Sequence, residues 1–173
     1  MSIGLERGTV ALKKYDPQWQ TAFETEKSLL LSVFGDKLIA IEHIGSTSVP
    51  GLASKPIIDI VAAVKSFDNL GYFIENLQAI GYEYMPERMF ENRKFFPKGS
   101  SAKRTHHLNL VIKDDPKQWI EIIAFRNYLR NNDVIRSRYQ ALKQDLAQKY
   151  SEDRNAYSAA KHNFIEKTLK QTR

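Results

Sequence analysis

An aspartate set in an apolar strand, downstream of a Gly-Ser turn, is the part of this sequence with the clearest chemical potential. Ile57-Ile58-Asp59-Ile60-Val61-Ala62-Ala63-Val64 is apolar at every position but one, and an ionised carboxylate there needs a cation, a metal or water. Lys55, one of the arginines, or a hard ion such as Mg2+ would meet that need. Upstream, Gly45-Ser46-Thr47 offers backbone N–H groups and hydroxyls to an anion, because glycine lets a phosphate approach the main chain. A turn that holds phosphate oxygens beside a carboxylate that holds Mg2+ is the equipment of phosphoryl transfer. The spacing is not that of a Walker A loop, and no dinucleotide fingerprint is present. The same residues also suit a tight strand-to-helix turn capped by Ser or Thr, with Asp59 in a structural ion pair.

The other candidates surround this pair. His106 and His107 are adjacent, so on a strand they point to opposite faces and cannot share one ion. His107, on the face of Asn109, is the one expected at the site, as a catalytic base near neutral pH or a metal ligand; a histidine hydrogen-bonded across the sheet is the plainer alternative. Glu42, on the strand entering the turn, is the candidate second metal ligand beside Asp59. His43 is placed to orient the turn. Arg126 shares a helix face with Trp119, Ile122 and Leu129, where a guanidinium needs an anion, so it would clamp a phosphate or pair with Asp59. Trp19, Trp119, Tyr128, Tyr139, Tyr150 and Tyr157 read as helix-packing residues.

The elements that must carry these groups follow from periodicity. Asp16-Pro17 starts a helix with Trp19, Phe23, Leu30, Val33 and Phe34 on one face and Gly35 at its end. Residues 39–44 and 57–64 read as strands, the second buried on both faces. Asp68 is expected to cap a helix through Ile80, short pieces near 82–84 and 94–96 to form a hairpin, and residues 97–105 to form a basic loop. His106 to Ile112 reads as a strand with a polar face. From Asp115 the pattern is helical to the end. The chain therefore reads as one domain over residues 1–173, mixed α/β at first and helical at the close.

Composition limits the function. The 173 residues contain no cysteine, which removes thiol nucleophiles, disulfides and thiolate metal sites. No signal-peptide pattern or membrane-length apolar run is visible, and a cytoplasmic location is expected. The net charge of +6 lies wholly in residues 126–173, with 11 Lys and Arg against 5 Asp and Glu. A second basic concentration runs from Arg88 to Arg104. An anionic partner fits both: a nucleotide, a phosphorylated metabolite or, with less support, nucleic acid; a solvated basic helix surface is the bland alternative.

Glu42-His43-Ile44-Gly45-Ser46-Thr47-Ser48-Val49-Pro50-Gly51-Leu52, Lys55-Pro56-Ile57-Ile58-Asp59-Ile60 and Phe125-Arg126-Asn127-Tyr128-Leu129-Arg130 resemble the GrpB family, with Tyr15-Asp16-Pro17-Gln18-Trp19 and Arg104-Thr105-His106-His107-Leu108 extending the likeness. That family is similar to a domain fused to some bacterial dephospho-coenzyme A kinases. The resemblance implies a nucleotidyltransferase-like fold: a small mixed sheet packed with helices, plus a C-terminal helical extension. The resemblance brings no established reaction; the reading expected from the residues and the fold together is a nucleotide or other phosphorylated ligand bound in a cleft lined by Gly45, Ser46, Thr47, Lys55, Asp59, His107 and Arg126, with Mg2+ on Asp59 and Glu42 and, as in the superfamily, nucleotidyl transfer to an acceptor. The superfamily pattern has a second carboxylate two residues after the first, where this chain has Val61, and a third on a neighbouring strand, where it offers His107 and Asn109. The family's usual Asp at position 127 is Asn. A noncatalytic binding or interaction module that kept the fold is the alternative expectation.

Overall fold

The computed structural model describes residues 3–6, 9–88 and 92–171, with the side chain of Arg154 left aside. Its centre is a mixed sheet of five strands: β1 (Leu5–Glu6), β2 (Ala40–Ile44), β3 (Ile58–Val64), β4 (Arg93–Gly99) and β5 (Lys103–Ile112). β3 lies between β2, which runs antiparallel to it, and β5, which runs parallel. β4 is the antiparallel neighbour of β5, and β1 pairs with the first residues of β5. Among the described residues, six α-helices accompany the sheet: α1 (Gln18–Phe34), α2 (Leu70–Ala79), α3 (Ile122–Asn131), α4 (Asp133–Lys149), α5 (Arg154–Ala160) and α6 (His162–Lys170). A six-residue π-helical turn, Pro116–Glu121, leads into α3, with Asp115 capping it.

Alternation along the strands divides the residues between two environments. Ile58, Ile60, Ala62 and Val64 of β3, with Leu108 and Leu110 of β5 and Phe96 of β4, pack beneath α1 and α2. Trp19, Phe23, Leu30 and Phe34 recur on one face of α1, so this layer closes the main core. On the opposite face, Ile44, Val61, Ala63 and Val111 meet Trp119 at the start of the C-terminal helices. Val49, Leu52, Leu129 and Tyr139 form a third cluster beside the turn after β2. Strand β3 is apolar on both sides because both sides are covered, as the sequence implies.

Three local expectations change. Asn69, rather than Asp68, precedes the first turn of α2, and Asp68 instead accepts a hydrogen bond from Ser66 at 2.7 Å. The 82–84 piece does lie antiparallel to β4, through the Tyr82–Lys98 bridge and hydrogen bonds from Glu83 N to Pro97 O and Met85 N to Phe95 O, but the long hairpin is β4 with β5. The basic loop shrinks accordingly, because Pro97 to Gly99 continues β4 and Lys103 already begins β5. Pro97 is tolerated there because its missing N–H falls on the outer edge of β4, where only the short 82–85 segment pairs and the Pro97 carbonyl still accepts from Glu83 N at 2.8 Å. None of the described helices is long and apolar enough to cross a membrane.

Candidate active site

Register puts Asp59 opposite Ile44 on β2 and His107 on β5, and Val61 opposite Glu42 and Asn109. Asp59, His107 and Asn109 therefore share one sheet face with Phe95 and Arg93 of β4. They floor a cleft of about 580 Å³. The His107 Nδ1 lies 3.1 Å from Asp59 Oδ1, while the Asp59 side chain stays 35% exposed. Burial among protein atoms pushes the Asp59 carboxyl up, but the His107 hydrogen bond and charge, then Lys55 and Lys161, outweigh it and hold the group below its ordinary range. The floor thus presents an ionised carboxylate at neutral pH.

The Gly45 turn touches this carboxylate. Gly45 has φ +68°, and a Cβ there would stand 2.5 Å from Asp59 Oδ2. Glycine is required twice over, by the left-handed backbone and by the close approach. The following residues, Ser46–Ser48, make one 3-10 turn, closed by the Ser48 hydroxyl donating to Gly45 O at 2.6 Å. His43 braces it from behind: its Nε2 is 2.9 Å from Thr47 Oγ1, and its ring stacks on Phe23 at 4.7 Å between centroids. Burial lowers the His43 pKa to about 4, so it is a neutral strut.

The C-terminal helices grip the same segment. Arg126 donates to Glu42 Oε2 at 2.7 Å and to His43 O at 2.8 Å. One helical turn on, Arg130 donates to Ser48 O from both Nε and Nη2. From α4, Gln140 accepts from Ala53 N at 3.0 Å and Lys143 donates to Ala53 O. The paired arginines of Phe125-Arg126-Asn127-Tyr128-Leu129-Arg130 therefore hold the backbone around the turn.

Of the residues expected at the site, Gly45, Ser46, Lys55, Asp59 and His107 line the cleft together. Three do not. Glu42 and Arg126 neutralise each other, so Arg126 does not pair with Asp59. Glu42 lies opposite Val61, a strand away from the Asp59–His107 pair. Thr47 is 1% exposed, with its hydroxyl engaged by His43 and directed to Ile57 O. Among the described residues, no three His, Asp or Glu side chains converge as a metal-binding group. Asp59 is the carboxylate on the floor able to take a hard cation. That fits one Mg2+ shared with a ligand's phosphates better than a two-ion centre.

What the sequence reading missed is the opposite wall. Tyr139 and Lys143 of α4, Tyr157 of α5, and Lys161 at the α5–α6 junction face the floor, joined by Lys55. Lys55 and Lys161 lie 5.0 and 4.4 Å from the Tyr157 ring centroid, and Lys143 lies 5.1 Å from that of Tyr139. Lys143 is only 1% exposed. Burial, then the charges of Lys161 and Lys55, lower its pKa to about 7, so an arriving anion would favour its charged form. Tyr139 shares a hydrogen bond with Ser46, and burial pushes the Tyr157 hydroxyl up to about 12. Tyr139 and Tyr157 are buried, as helix-packing residues should be, but they are also cleft lining. The signal was available as spacing: Lys143 and Lys161 each follow a packed tyrosine by four residues, on the apolar side of the helix.

A mixed sheet with a Gly-Ser turn and an aspartate on the next strand defines a protein of nucleotidyltransferase-like fold, and solved structures agree. The Cid1 poly(U) polymerase with Mg 3′-dATP bound superposes with a TM-score of 0.55 at 14% identity, covering 86% of this chain and 49% of that one. More specifically, the chain belongs to the GrpB family, whose description, "GrpB protein", matches residues 9–171. The crystal structure of conserved protein GrpB from Enterococcus faecalis superposes with a TM-score of 0.86 at 38% identity, over 94% of this chain and 96% of that one. Glutamate-rich protein GrpB of Alkalihalophilus pseudofirmus is 33% identical over 96% of this chain and 98% of its own. UPF0157 protein YqkA of Bacillus subtilis is 38% identical over 87% of this chain, which spans only 43% of that relative. A dephospho-CoA kinase of Mycolicibacterium paratuberculosis is 27% identical over 93% of this chain and 45% of its length.

Proposed function

We propose that the cleft binds a nucleotide or another phosphorylated ligand, with phosphates against the Gly45-Ser46 turn and the Lys55, Lys143 and Lys161 wall. The observation that carries this reading is the convergence of those three lysines on a floor holding the ionised Asp59 carboxylate beside His107. Cationic side chains, serine hydroxyl and turn backbone together form a phosphate receptor. Asp59 would hold one Mg2+ shared with the phosphates, and that ion would offset negative charge on them.

Nucleotidyl transfer is the reaction such a cleft supports. An acceptor hydroxyl oxygen bonds to the α-phosphorus, the bond from that phosphorus to the bridging oxygen of pyrophosphate breaks, and pyrophosphate leaves with its electron pair. The hydroxyl proton passes to His107 in its neutral form. The lysine wall holds the leaving charge. A second reading, binding without transfer, is favoured by one observation: Val61 and Asn109 face the floor where further carboxylates would stand.

Calorimetric titration of the wild type and Asp59→Ala with each nucleoside triphosphate and with coenzyme A precursors, with and without Mg2+, tests both. Metal-dependent binding lost in the variant supports the site. Metal-independent binding retained by Asp59→Ala, with no pyrophosphate released by the wild type, selects the second reading. No binding to folded protein rejects both.

A further inference from the structure

The cleft has a second cationic wall that phosphates on the lysines leave unused. Arg93 and Phe95 project from β4 on the same face as Asn109 and His107, and Arg88 reaches the cleft from the turn Pro86–Arg88. The Arg88 guanidinium lies 5.5 Å from the Phe95 ring centroid, and Phe95 in turn lies 5.2 Å from the His107 ring. A chain of contacts thus runs from Arg88 to Phe95, on to His107, whose ring is tilted against it, and to Asp59. It holds a guanidinium in place over an aromatic face before any ligand arrives.

Arg88 and Arg93 are close enough to repel. Burial, then the Arg88 charge, lowers the Arg93 pKa. An anion held between the two guanidiniums would offset that repulsion. Glu87 also lines the cleft and supplies a carboxylate for a ligand's donor groups. β4 is two strands from β3, so this wall stands about 10 Å from the strand of Asp59. Lys143 and Lys161 approach from the helices on the other side, with Lys55 from the segment before β3. The two walls are therefore separate places, with Asp59 and His107 between them.

We infer that Arg88 and Arg93 form a second anion subsite, which takes the phosphate monoester group of a small acceptor while the first ligand's phosphates occupy the lysine wall. This rests on the phosphate reading of the lysine wall for the identity of its neighbour, and its own evidence is the β4 wall. A guanidinium pair suits the dianionic, multi-acceptor oxygens of a phosphate monoester better than a single carboxylate.

The test uses inorganic tripolyphosphate as the probe for the lysine wall and phenyl phosphate, with benzoate as the carboxylate arm, for the arginine wall. Wild-type protein saturated with tripolyphosphate is titrated calorimetrically with each aryl anion. Phenyl phosphate is expected to bind once per chain without displacing tripolyphosphate. Arg88→Gln and Arg93→Gln are each expected to weaken it about tenfold or more, the scale of a charge-assisted contact, while leaving tripolyphosphate affinity unchanged. Lys161→Met is expected to do the reverse. Mutual exclusion of the two probes in the wild type, or no binding of phenyl phosphate, overturns the second subsite without needing any variant to fold. Tighter binding of benzoate overturns the phosphate assignment. If tripolyphosphate fails to bind and phenyl phosphate binds in an arginine-dependent way, the lysine-wall reading fails and the arginine subsite stands.

Discussion

His106 and His107 are neighbours in sequence and strangers in structure. His106 points under α1, where its Nε2 lies 3.9 Å from Glu26 Oε2, and the same carboxylate accepts from Tyr82 at 2.9 Å and Lys98 at 2.8 Å. Its pKa falls chiefly through burial. His107 points into the cleft and meets Asp59, whose side chain still reaches solvent. Both pairs set a histidine of β5 against a carboxylate, Glu26 from α1 and Asp59 from β3. Behind the sheet, the carboxylate is 7% exposed and already has a lysine and a tyrosine, which makes the group a cross-link between α1 and β4. In front, one oxygen of Asp59 takes His107 while the other faces the Gly45 turn, which leaves the group fit for exchange with a ligand. What separates a structural network from a candidate active site is how many of its polar atoms are already committed.

The predictions press on that difference. The largest effect expected is for Asp59→Ala, which removes the Mg2+-dependent part of nucleotide affinity at a cost of about 1 kcal/mol in urea unfolding, the scale of the hydrogen bond lost to His107. Next is acid destabilisation of the covered side. His43 is neutral when folded down to a pH of about 4 and titrates near 6.5 when unfolded, so the unfolded state binds the extra proton between those values. Stability therefore falls as pH drops from 6.5 to 4, by up to about 3 kcal/mol, and His43→Gln flattens that slope in acid denaturation curves. Glu26→Gln should cost about 2 kcal/mol in urea unfolding, because Lys98 keeps its charge and loses its partner, with nucleotide affinity unchanged. Equal losses of binding in Glu26→Gln and Asp59→Ala would erase the distinction between the faces.

The smallest effect is the sharpest. His107→Gln should cost about 1 kcal/mol of stability, the scale of one hydrogen bond. Its distinguishing sign lies in pH: without His107 the Asp59 carboxyl loses what holds it low, so the acid limb of Mg2+-dependent binding moves to higher pH. His106→Gln should leave that limb in place. Asp59 itself contributes stability above the unfolded carboxyl value, lost as pH falls through its lower folded value.

The sheet was legible because its signals are local. Alternation placed His107 with Asn109, the apolar run placed β3 in the centre, and Gly45-Ser46 marked the turn. The helical wall was not, since a lysine four residues from a tyrosine looks the same on a solvated helix. Only the docking of α4 through α6 decides that Lys143 is buried at Ala53 and that Lys161 shares the Tyr157 ring with Lys55. Arg126 was misassigned for a related reason. Its need for an anion was readable, but pairing between α3 and β2, 84 positions apart, chose Glu42 over Asp59.

That grip on the turn also orders events in time. The strands are complete once Ile112 has been made, yet Ala53 waits for Gln140 and Lys143, partners 87 and 90 positions later. Long-range closures of this kind come late and slowly in folding. On the ribosome, the sheet can collapse on α1 while its front face is still bare, and the helical wall of the cleft is added only when the last helices emerge.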